Sequence, residues 1–406
     1  MKILYCVQRY GEEIAGGAEA ACRQLAERMV VRGHEVAVLS TCALDYNTWT
    51  DHYEAGASEL NGVAVTRVPV RAPRSEPRFT AIHRRVVGEG APSLAVQRDW
   101  LRNLGPDSPR LLEALPEWAG WADVVVFYTY LYAPFGLGAR IAGEYAPVVL
   151  HPAAHDEPAW WLPVYREALQ ACDGFSLQTP EEADLLASVG VGYEADELVG
   201  MGVDTGATGD ADRFRARFAL GEEATALYLG RLDPGKGPDE LYRYMVQLWD
   251  TGRTRAKLVV VGEPVISLPE HPGVLFTGFV DEQTKADALA AATVFVQPSY
   301  FESFSLSLCE AWVQRTAALV QRSCAVLAGQ VHRSGGGIAY SGLAEFEAAL
   351  ARLLDDRSLR SSLGDAGRAY VEQHYQWPEV LDRYEALLER VVGRAASGHG
   401  PGGHPG

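Results

Sequence analysis

The sequence is poor in the features that mark disulfide-bonded, exported or membrane-spanning proteins. Its six cysteines are dispersed over 406 residues and none belongs to a Cys-x-x-Cys pair, so we expect reduced, mostly buried thiols in a cytoplasmic protein. No stretch of 18 apolar residues is free of charge, and no apolar N-terminal segment precedes a small-residue cleavage site. We therefore expect neither a transmembrane helix nor export by a standard signal.

Positive charge is also scarce. The chain has 36 Lys and Arg against 53 Asp and Glu, which gives a formal net charge of −17 at pH 7. This charge disfavours nucleic acid and anionic membrane surfaces as main partners, because both would repel the protein. With 48% hydrophobic and 22% charged residues the chain is globular, and its length predicts two domains.

Alternating strands and helices predict an α/β fold in two halves. A strand at 2–7, a glycine-containing loop, a helix and a strand at 36–39 form a Rossmann-type unit. The sequence lacks the G-x-G-x-x-G motif of dinucleotide-binding enzymes. Residues 200–209 contain four glycines and little to bury, which predicts a linker. We place the domains at 1–202 and 203–375, a last amphipathic helix at 376–395 and a disordered tail at 396–406.

The stretch from Gln297 to Trp312 carries the first chemical signal. Two carboxylates, Glu302 and Glu310, have seven residues between them. A helix beginning near Phe304 would leave backbone N–H groups unpaired at its positive end, where anions such as diphosphate bind. The flanking carboxylates suit hydroxyl groups. A phosphate site between two hydroxyl-binding sites describes a sugar nucleotide; the alternative is a pair of solvated glutamates at a helix start.

A second signal is the run Gly-Arg-Leu-Asp-Pro-Gly-Lys-Gly at residues 230–237. Arg231 and Lys236 flank a tight Pro-Gly turn, so that both cations can converge on one anion. Arg offers a bidentate fork and Lys a mobile point charge, a combination that suits two phosphates. The alternative is ordinary surface charge on a turn.

Together these motifs resemble those of the retaining glycosyltransferases of family four, which have the GT-B fold. The resemblance covers nearly all of residues 1–392. It implies two Rossmann-like domains that face a central cleft, with a C-terminal helix that crosses back to the first domain. It also implies that no metal or other cofactor is required, because helix dipoles, Arg and Lys replace the metal. We accordingly interpret Asp210-Ala211-Asp212 as a helix cap and not as an Asp-x-Asp metal site.

The resemblance also implies roles for individual residues. Arg231 and Lys236 would neutralise the departing nucleoside diphosphate, Glu310 would hold the ribose, and Glu302 with His155 would hold the donor sugar. His155-Asp156 matches a His-Asp dipeptide of the family, and His151 is the alternative. Further substrate-binding residues belong to the first glycine loop, the nucleobase loop and the helix start: Gly16, Gly17, Phe279, Val280, Ser303, Phe304, Ser305 and Leu306. Ser303 and Ser305 stand where many members have glycine.

The implied function is hexosyl transfer from a nucleoside-diphosphate sugar to an acceptor hydroxyl with retention of configuration. A sugar-nucleotide 2-epimerase and a nucleotide-sugar-binding protein without transfer activity are the alternatives. The acceptor is left open between a glycan, a lipid-linked sugar and a small metabolite. Nine arginines stand against four carboxylates between residues 67 and 110, which we interpret as an acceptor-side patch or as solvated surface. We expect a cytoplasmic location that can include the inner membrane surface.

Overall fold

Short apolar runs form the strands of two sheets, because a parallel strand is buried on both faces. The computed structural model describes residues 1–14, 17–88, 90, 92–193, 195–263, 266 and 269–397. Its strands, numbered along the chain, are β1 (Lys2–Val7), β2 (Glu35–Thr41), β3 (Gly56–Leu60), β4 (Val63–Val68), β5 (Val124–Tyr128), β6 (Val148–His151), β7 (Gly174–Leu177), β8 (Ala195–Leu198), β9 (Thr225–Leu229), β10 (Lys257–Val261), β11 (Val274–Gly278), β12 (Val294–Gln297), β13 (Ala318–Gln321) and β14 (Gly337–Tyr340).

Helices connect most of these strands, as crossovers between parallel neighbours require. They are α1 (Gly17–Val31), α2 (Glu76–His83), α3 (Leu94–Leu104), α4 (Pro109–Trp121), α5 (Ala133–Ala142), α6 (Pro163–Leu169), α7 (Pro180–Ser188), α8 (Ala211–Arg217), α9 (Pro238–Asp250), α10 (Glu282–Ala291), α11 (Leu306–Val313), α12 (Ala325–Ser334), α13 (Gly342–Asp355), α14 (Arg357–His374) and α15 (Trp377–Ala396). A π-helical turn spans Arg84–Gly88, and a 3-10 turn spans Pro234–Lys236.

The chain divides into two compact units. One contains Met1–Gly200 and the chain from Leu381, and the other contains Met201–Val380. The sheet of the first unit has the order β3-β4-β2-β1-β5-β6-β7-β8, and every pair is parallel except β3 with β4. Since β2 lies on one side of β1 and β5 on the other, the strand order reverses at β1. Ligands in open α/β sheets bind beyond such a point.

The second unit repeats this plan with six parallel strands in the order β11-β10-β9-β12-β13-β14. Here β10 lies on one side of β9 and β12 on the other, so the order reverses between β9 and β12. Apolar side chains of both sheet faces form its core, with Phe295 and Trp312 in one cluster and Tyr228 and Phe346 in the other. Both units therefore have the doubly wound architecture expected from the sequence.

The last helix, α15, begins in the second unit and joins the first unit at Leu381. Its predicted apolar stripe is buried: Val380, Leu381, Tyr384, Leu387, Leu388 and Val391. Within the first unit, the Arg383 guanidinium donates to the carbonyl of Val199 at 2.9 Å, and Glu385 pairs with Arg32 and His34. These contacts fix the helix on the first unit, as the predicted crossover requires.

Several sequence-based expectations need correction. Residues 200–209 were expected to bury little, but Val203 is buried and its N–H donates to the Tyr375 carbonyl at 2.8 Å. The helix expected near Phe304 begins at Leu306. Strand β3 was not predicted, because it is exposed and has no apolar alternation that would reveal it in the sequence. Of the tail predicted at 396–406, Ala396 is the last residue of α15, and residues 398–406 lie outside the described residues.

Two further features concern the cysteines and the helices. All six cysteines are free and buried, as predicted. None of the helices in the described residues has the length and apolar character needed to cross a membrane.

Candidate active site

The site begins at the point in the second unit where the strand order reverses. β9 and β12 pair in parallel, with Val294 opposite Ala226 and Phe295 opposite Leu227. Because both strands end at the same edge of the sheet, the loops that follow them are neighbours there. The loop after β9 carries Arg231 and Lys236, and the loop after β12 carries Glu302. The topology thus explains why two distant motifs meet.

Close backbone contacts lock these two loops together. The Tyr300 N–H donates to the Gly235 carbonyl at 3.2 Å. Gly237 has a φ of 68°, and a side-chain carbon there would lie 2.5 Å from the carbonyl oxygen of Pro298. Glycine is therefore needed at residue 237 both for its conformation and for the close approach. The paired loops therefore pack closely and form one continuous surface.

Lys236 and Glu302 lie in contact on this surface. The Lys236 ammonium is 2.8 Å from Oε1 of Glu302, and the Gln297 amide donates to the same oxygen at 2.8 Å. Burial acts to raise the pKa of Glu302, but Lys236 and the donors from Ser299 and Gln297 outweigh it, so the pKa lies below its ordinary value. The carboxylate is therefore ionised and can accept further hydrogen bonds from hydroxyl groups.

Arg231 follows β9 after a single residue, Gly230, and its side chain is 40% exposed. Its Nη2 lies 3.5 Å from Oδ2 of Asp233. The Tyr228 hydroxyl donates to the Arg231 carbonyl at 2.6 Å and so fixes its backbone. The guanidinium retains access to solvent, as a group that meets a ligand must.

The start of α11 completes this part of the site. Ser305 is the N-cap residue, with a left-handed φ of 69°, and its side chain makes no capping bond. In the described structure the N–H groups of Phe304, Ser305 and Leu306 make no backbone hydrogen bond, and Ser305 Oγ is buried without a partner. Three unpaired donors at the positive end of a helix form a site suited to an anion.

Glu310 lies within α11 and is held by a residue of the neighbouring helix α10. The Lys285 ammonium lies 2.6 Å from Oε1 of Glu310 and 2.7 Å from Oε2 of Glu282. Burial raises the pKa of Glu310, and Lys285 opposes this rise. Burial lowers the pKa of Lys285, but the two carboxylates overcome that effect and raise it. The ammonium and the carboxyl group therefore lie in direct contact in a partly desolvated place, where the pKa of Glu310 stays above its ordinary value.

The predicted nucleobase loop follows β11. Phe279 is 70% exposed, so its ring is accessible to a ligand. The N–H of Gly262, after β10, donates to the Gly278 carbonyl at 3.0 Å. A side-chain carbon at Gly262 would lie 2.0 Å from the Gly230 carbonyl, so the loops after β9, β10 and β11 are packed together. The base-binding role of Phe279 and Val280 stays a prediction.

In the first unit, the predicted glycine loop leads into α1. Gly16 lies outside the described residues. Gly17 begins α1, and a side-chain carbon there would meet no atom within 4 Å, so this helix start faces open space. Behind it, the Arg9 guanidinium and the Gln8 amide donate to Oε1 of Glu19 at 2.6 and 2.9 Å. This buried cluster fixes the first turn of the helix against β1.

His151 ends β6 and is buried. Its ring stacks on Tyr128 with centroids 4.3 Å apart, and its nitrogens lie 3.1 Å from Ser176 Oγ and 2.7 Å from Gln178 Nε2. Burial lowers the pKa of His151 to about 3, so the imidazole is neutral. These contacts describe a packed core histidine.

His155 is in a different state. Its side chain is 30% exposed, and Nδ1 lies 3.5 Å from Oε1 of Glu157. Glu157 also accepts a hydrogen bond from the Tyr130 hydroxyl at 2.7 Å. Between the two histidines, His155 therefore has the better access for a ligand, and its contact with a donor sugar stays a prediction.

Comparison with known proteins places this geometry in a family. Residues 16–202 match the model of the glycosyl transferase 4-like domain, and residues 210–370 match that of glycosyl transferases group 1. A D-inositol 3-phosphate glycosyltransferase of Kribbella flavida is 30% identical over 65% of this chain and 70% of its own. A protein of the same name from a Nocardioides species is 31% identical over 58% of each chain. The chain is a family-four glycosyltransferase.

Solved structures support the fold of the glycosyltransferase. Sucrose-phosphate synthase from Thermosynechococcus elongatus has a TM-score of 0.71 at 18% identity, covering 97% of this chain and 100% of that one. HepE of Anabaena, solved with UDP and glucose, has a TM-score of 0.72 at 14% identity and covers 96% of this chain and 100% of its own. At such identities the likeness shows the fold alone, and it confirms the predicted two-domain GT-B fold.

The structure also adds residues that sequence reasoning missed in the glycosyltransferase. Lys285 contacts Glu310 from a position 25 residues away, Gln297 bonds to Glu302, and Glu157 contacts His155. Gln297 and Glu157 lie next to recognised motifs and could have been considered for that reason. Lys285 has no such signal, because its role depends on how α10 packs beside α11.

The arginine-rich segment of the glycosyltransferase is partly neutralised. Arg71, Arg74, Arg78 and Arg98 pair with carboxylates. Arg84 and Arg85 are exposed in the π-helical turn. Asp210, weighed above as a metal ligand, is the N-cap of α8 and accepts from the Arg213 N–H at 3.0 Å, which confirms its interpretation as a cap.

Proposed function

We propose that this glycosyltransferase transfers a hexosyl group from a nucleoside-diphosphate sugar to an acceptor hydroxyl with retention of anomeric configuration. The observation that carries the proposal is the contact of Lys236 with Glu302 beside the start of α11. A cation, an ionised carboxylate and unpaired helix N–H groups are the partners that phosphate oxygens and sugar hydroxyls need. All three lie where the strand order reverses between β9 and β12.

The diphosphate of the donor would bind at the start of α11. The N–H groups of Phe304, Ser305 and Leu306 would donate to its oxygens, and Arg231 and Lys236 would add positive charge. Breaking the bond between the anomeric carbon and the diphosphate oxygen builds negative charge on the leaving group. Cations and dipoles that are already in place stabilise this charge without reorganisation. The proposal therefore requires no divalent cation.

The carboxylates would hold hydroxyl groups on either side of the diphosphate. Glu302 would accept from the donor sugar and Glu310 from the ribose, with the nucleobase against Phe279 and Val280. His155 is the first unit's candidate for contact with the donor sugar. The acceptor oxygen would form its bond to the anomeric carbon on the face that the diphosphate leaves, and its proton would pass to the departing phosphate oxygen. No protein nucleophile is needed.

We also propose that the acceptor is anionic. The curated relatives are named as D-inositol 3-phosphate glycosyltransferases, so a phosphorylated hydroxyl compound is a reasonable first acceptor to test. Arg84 and Arg85 are exposed in the first unit, and positive charge there would concentrate such an acceptor in an otherwise acidic chain.

The test is a transfer assay followed by proton NMR. Nucleotide sugars, UDP-glucose first, are incubated with D-inositol 3-phosphate and other sugar phosphates in excess EDTA. The proposal expects a glycosylated product with the same anomeric configuration as the donor. A donor that changes to its 2-epimer in the absence of acceptor would identify an epimerase. Inversion, or a strict need for a divalent cation, would contradict the proposed mechanism.

A further inference from the structure

Three charged groups meet between α10 and α11. The Lys285 ammonium lies 2.6 Å from Oε1 of Glu310 and 2.7 Å from Oε2 of Glu282. The side chains of Lys285 and Glu310 are only 20% and 21% exposed, whereas that of Glu282 is 89% exposed. No other described residue donates a hydrogen bond to Glu310. Lys285 is therefore the group that fixes this carboxylate.

The surroundings of Glu310 make its charge depend on Lys285. Burial and the negative charge of Glu282 raise the pKa of Glu310, and Lys285 lowers it. Cys309, next to Glu310 in α11, is a buried thiol whose pKa is raised by burial, so it brings no charge. From α14, Arg368 bonds to the carbonyl of Val313 at the other end of α11. Lys285 is thus the cation in contact with Glu310.

We propose that Lys285 is a positioning residue for the donor: it holds Oε1 of Glu310, so that Oε2 presents an ionised acceptor to the ribose hydroxyls. This inference rests on the proposed function, since it assumes that Glu310 meets the ribose. A carboxylate forms stronger hydrogen bonds with hydroxyls than a neutral acid does. A fixed orientation also lowers the entropy lost when the ligand binds.

A purely structural role is the competing explanation. An ion pair between two helices can be replaced by apolar contact with little loss of stability, so a tie between α10 and α11 does not by itself require charge. The two explanations differ in what a ligand experiences. If the ion pair of Lys285 with Glu310 only holds the helices together, its loss should weaken every contact of the nucleotide. If Lys285 positions Glu310, its loss should weaken only the contact with the ribose hydroxyls.

The test is calorimetric titration of nucleoside diphosphates into Lys285→Met, Lys285→Arg and the wild type. UDP, GDP and ADP are screened first, and the tightest ligand is compared with its 2′,3′-dideoxy counterpart. For Lys285→Met we expect about tenfold weaker binding of the ribonucleotide, the loss of one charge-assisted hydrogen bond. Binding of the dideoxynucleotide should not change, and Lys285→Arg should restore most of the affinity.

A pH series supplies a readout that a structural role would not move. Without Lys285, Glu310 should hold its proton to higher pH than in the wild type, so the loss of ribonucleotide affinity in Lys285→Met should shrink as the pH is raised. The ratio of the wild-type affinity to that of the variant is compared at each pH, because this ratio cancels the ionisation of the nucleotide's own phosphate. Glu282→Gln is the matched control, because it alters the exposed partner of the same lysine, and it should bind like the wild type.

The outcomes separate this inference from the proposed function. Equal weakening of both nucleotides in Lys285→Met, or no weakening, would overturn the positioning role while leaving the nucleotide site intact. Failure of the wild type to bind any of the three nucleoside diphosphates would overturn the proposed function, and the inference with it. Thermal unfolding of each variant verifies that the protein titrated is folded.

Discussion

The ammonium group of Lys236 lies 2.8 Å from Oε1 of Glu302. The two residues are 66 positions apart in sequence and meet because β9 and β12 are neighbours in the sheet. Glu302 is buried, and its Oε1 also accepts a hydrogen bond from the Gln297 amide. Contacts within the protein thus hold a cation at the expected diphosphate site, as electrostatic stabilisation of a leaving group requires.

Loss of either cation should slow transfer. We expect Arg231→Ala and Lys236→Met each to lower kcat/KM. The decrease should correspond to a loss of about 2–4 kcal/mol of transition-state stabilisation, the range for removing one preorganised donor. Lys257→Met is the control, because Lys257 begins β10 at the opposite edge of the same sheet and pairs with Glu223. Steady-state kinetics provide the measurement. If both site variants kept the kcat/KM of the wild type, the reaction would have to take place elsewhere in the protein.

The serine at position 305 should lower the free energy of unfolding. Its φ of 69° is a conformation that costs an L-residue about 1–2 kcal/mol and costs glycine almost nothing, and its buried hydroxyl has no partner. We expect Ser305→Gly to raise the free energy of unfolding by about 1 kcal/mol, measured by denaturant titration. Ala219→Gly, at a φ of 51° in an exposed position, is the control and should gain less. A destabilised Ser305→Gly would show that the hydroxyl has a structural partner.

The sequence predicted most of the fold because most strands are short apolar runs bounded by glycine or proline. It failed for β3, which is polar and exposed, since such a strand exists only through its pairing with β4. For the site, the local motif of Arg231 and Lys236 and the Glu302–Glu310 spacing predict a sugar nucleotide, and the structure brings Lys236 and Glu302 into contact. The partner of Glu310 could not be predicted, because Lys285 approaches it through helix packing and follows no sequence rule.

Acid should break the ion pair between Arg213 of α8 and Asp287 of α10. Asp287 accepts from the Arg213 guanidinium at 2.5 and 2.6 Å, and its pKa is lowered to about 2 by this hydrogen bond, opposed by burial. A lowered pKa stabilises the folded state above the ordinary pKa, and the contribution disappears as pH falls toward 2.

The variant that tests the ion pair of Asp287 with Arg213 is Asp287→Asn. Its free energy of unfolding should lie below that of the wild type by a constant amount above about pH 5, and the difference should shrink on acidification. Denaturant titration over a pH series measures it. The neighbouring cap variant Asp281→Asn gives a comparison, since Asp281 accepts hydrogen bonds from the N–H and the hydroxyl of Thr284 in its own helix. A difference that does not depend on pH would contradict the role of the Asp287 charge.

Charge reversal at Arg84 and Arg85 should affect the acceptor and not the donor. We expect Arg84→Glu with Arg85→Glu to raise the KM of a phosphorylated acceptor, more at low than at high ionic strength, because salt screens the attraction. Arg243→Glu, an exposed arginine of α9, is the control and should leave both constants unchanged. Kinetics with each substrate varied in turn provide the measurement. An effect confined to the donor would show that the arginines serve the nucleotide sugar.

The most direct test of the account is calorimetric titration of the wild type and of the double variant Arg231→Ala, Lys236→Met with UDP, GDP and ADP in excess EDTA. The wild type should bind one of these nucleotides without a divalent cation. The double variant should bind it at least about a hundredfold more weakly, because two charge-assisted contacts to phosphate are lost. Equal affinity of the two proteins would contradict the assignment of the diphosphate to the loops after β9 and β12.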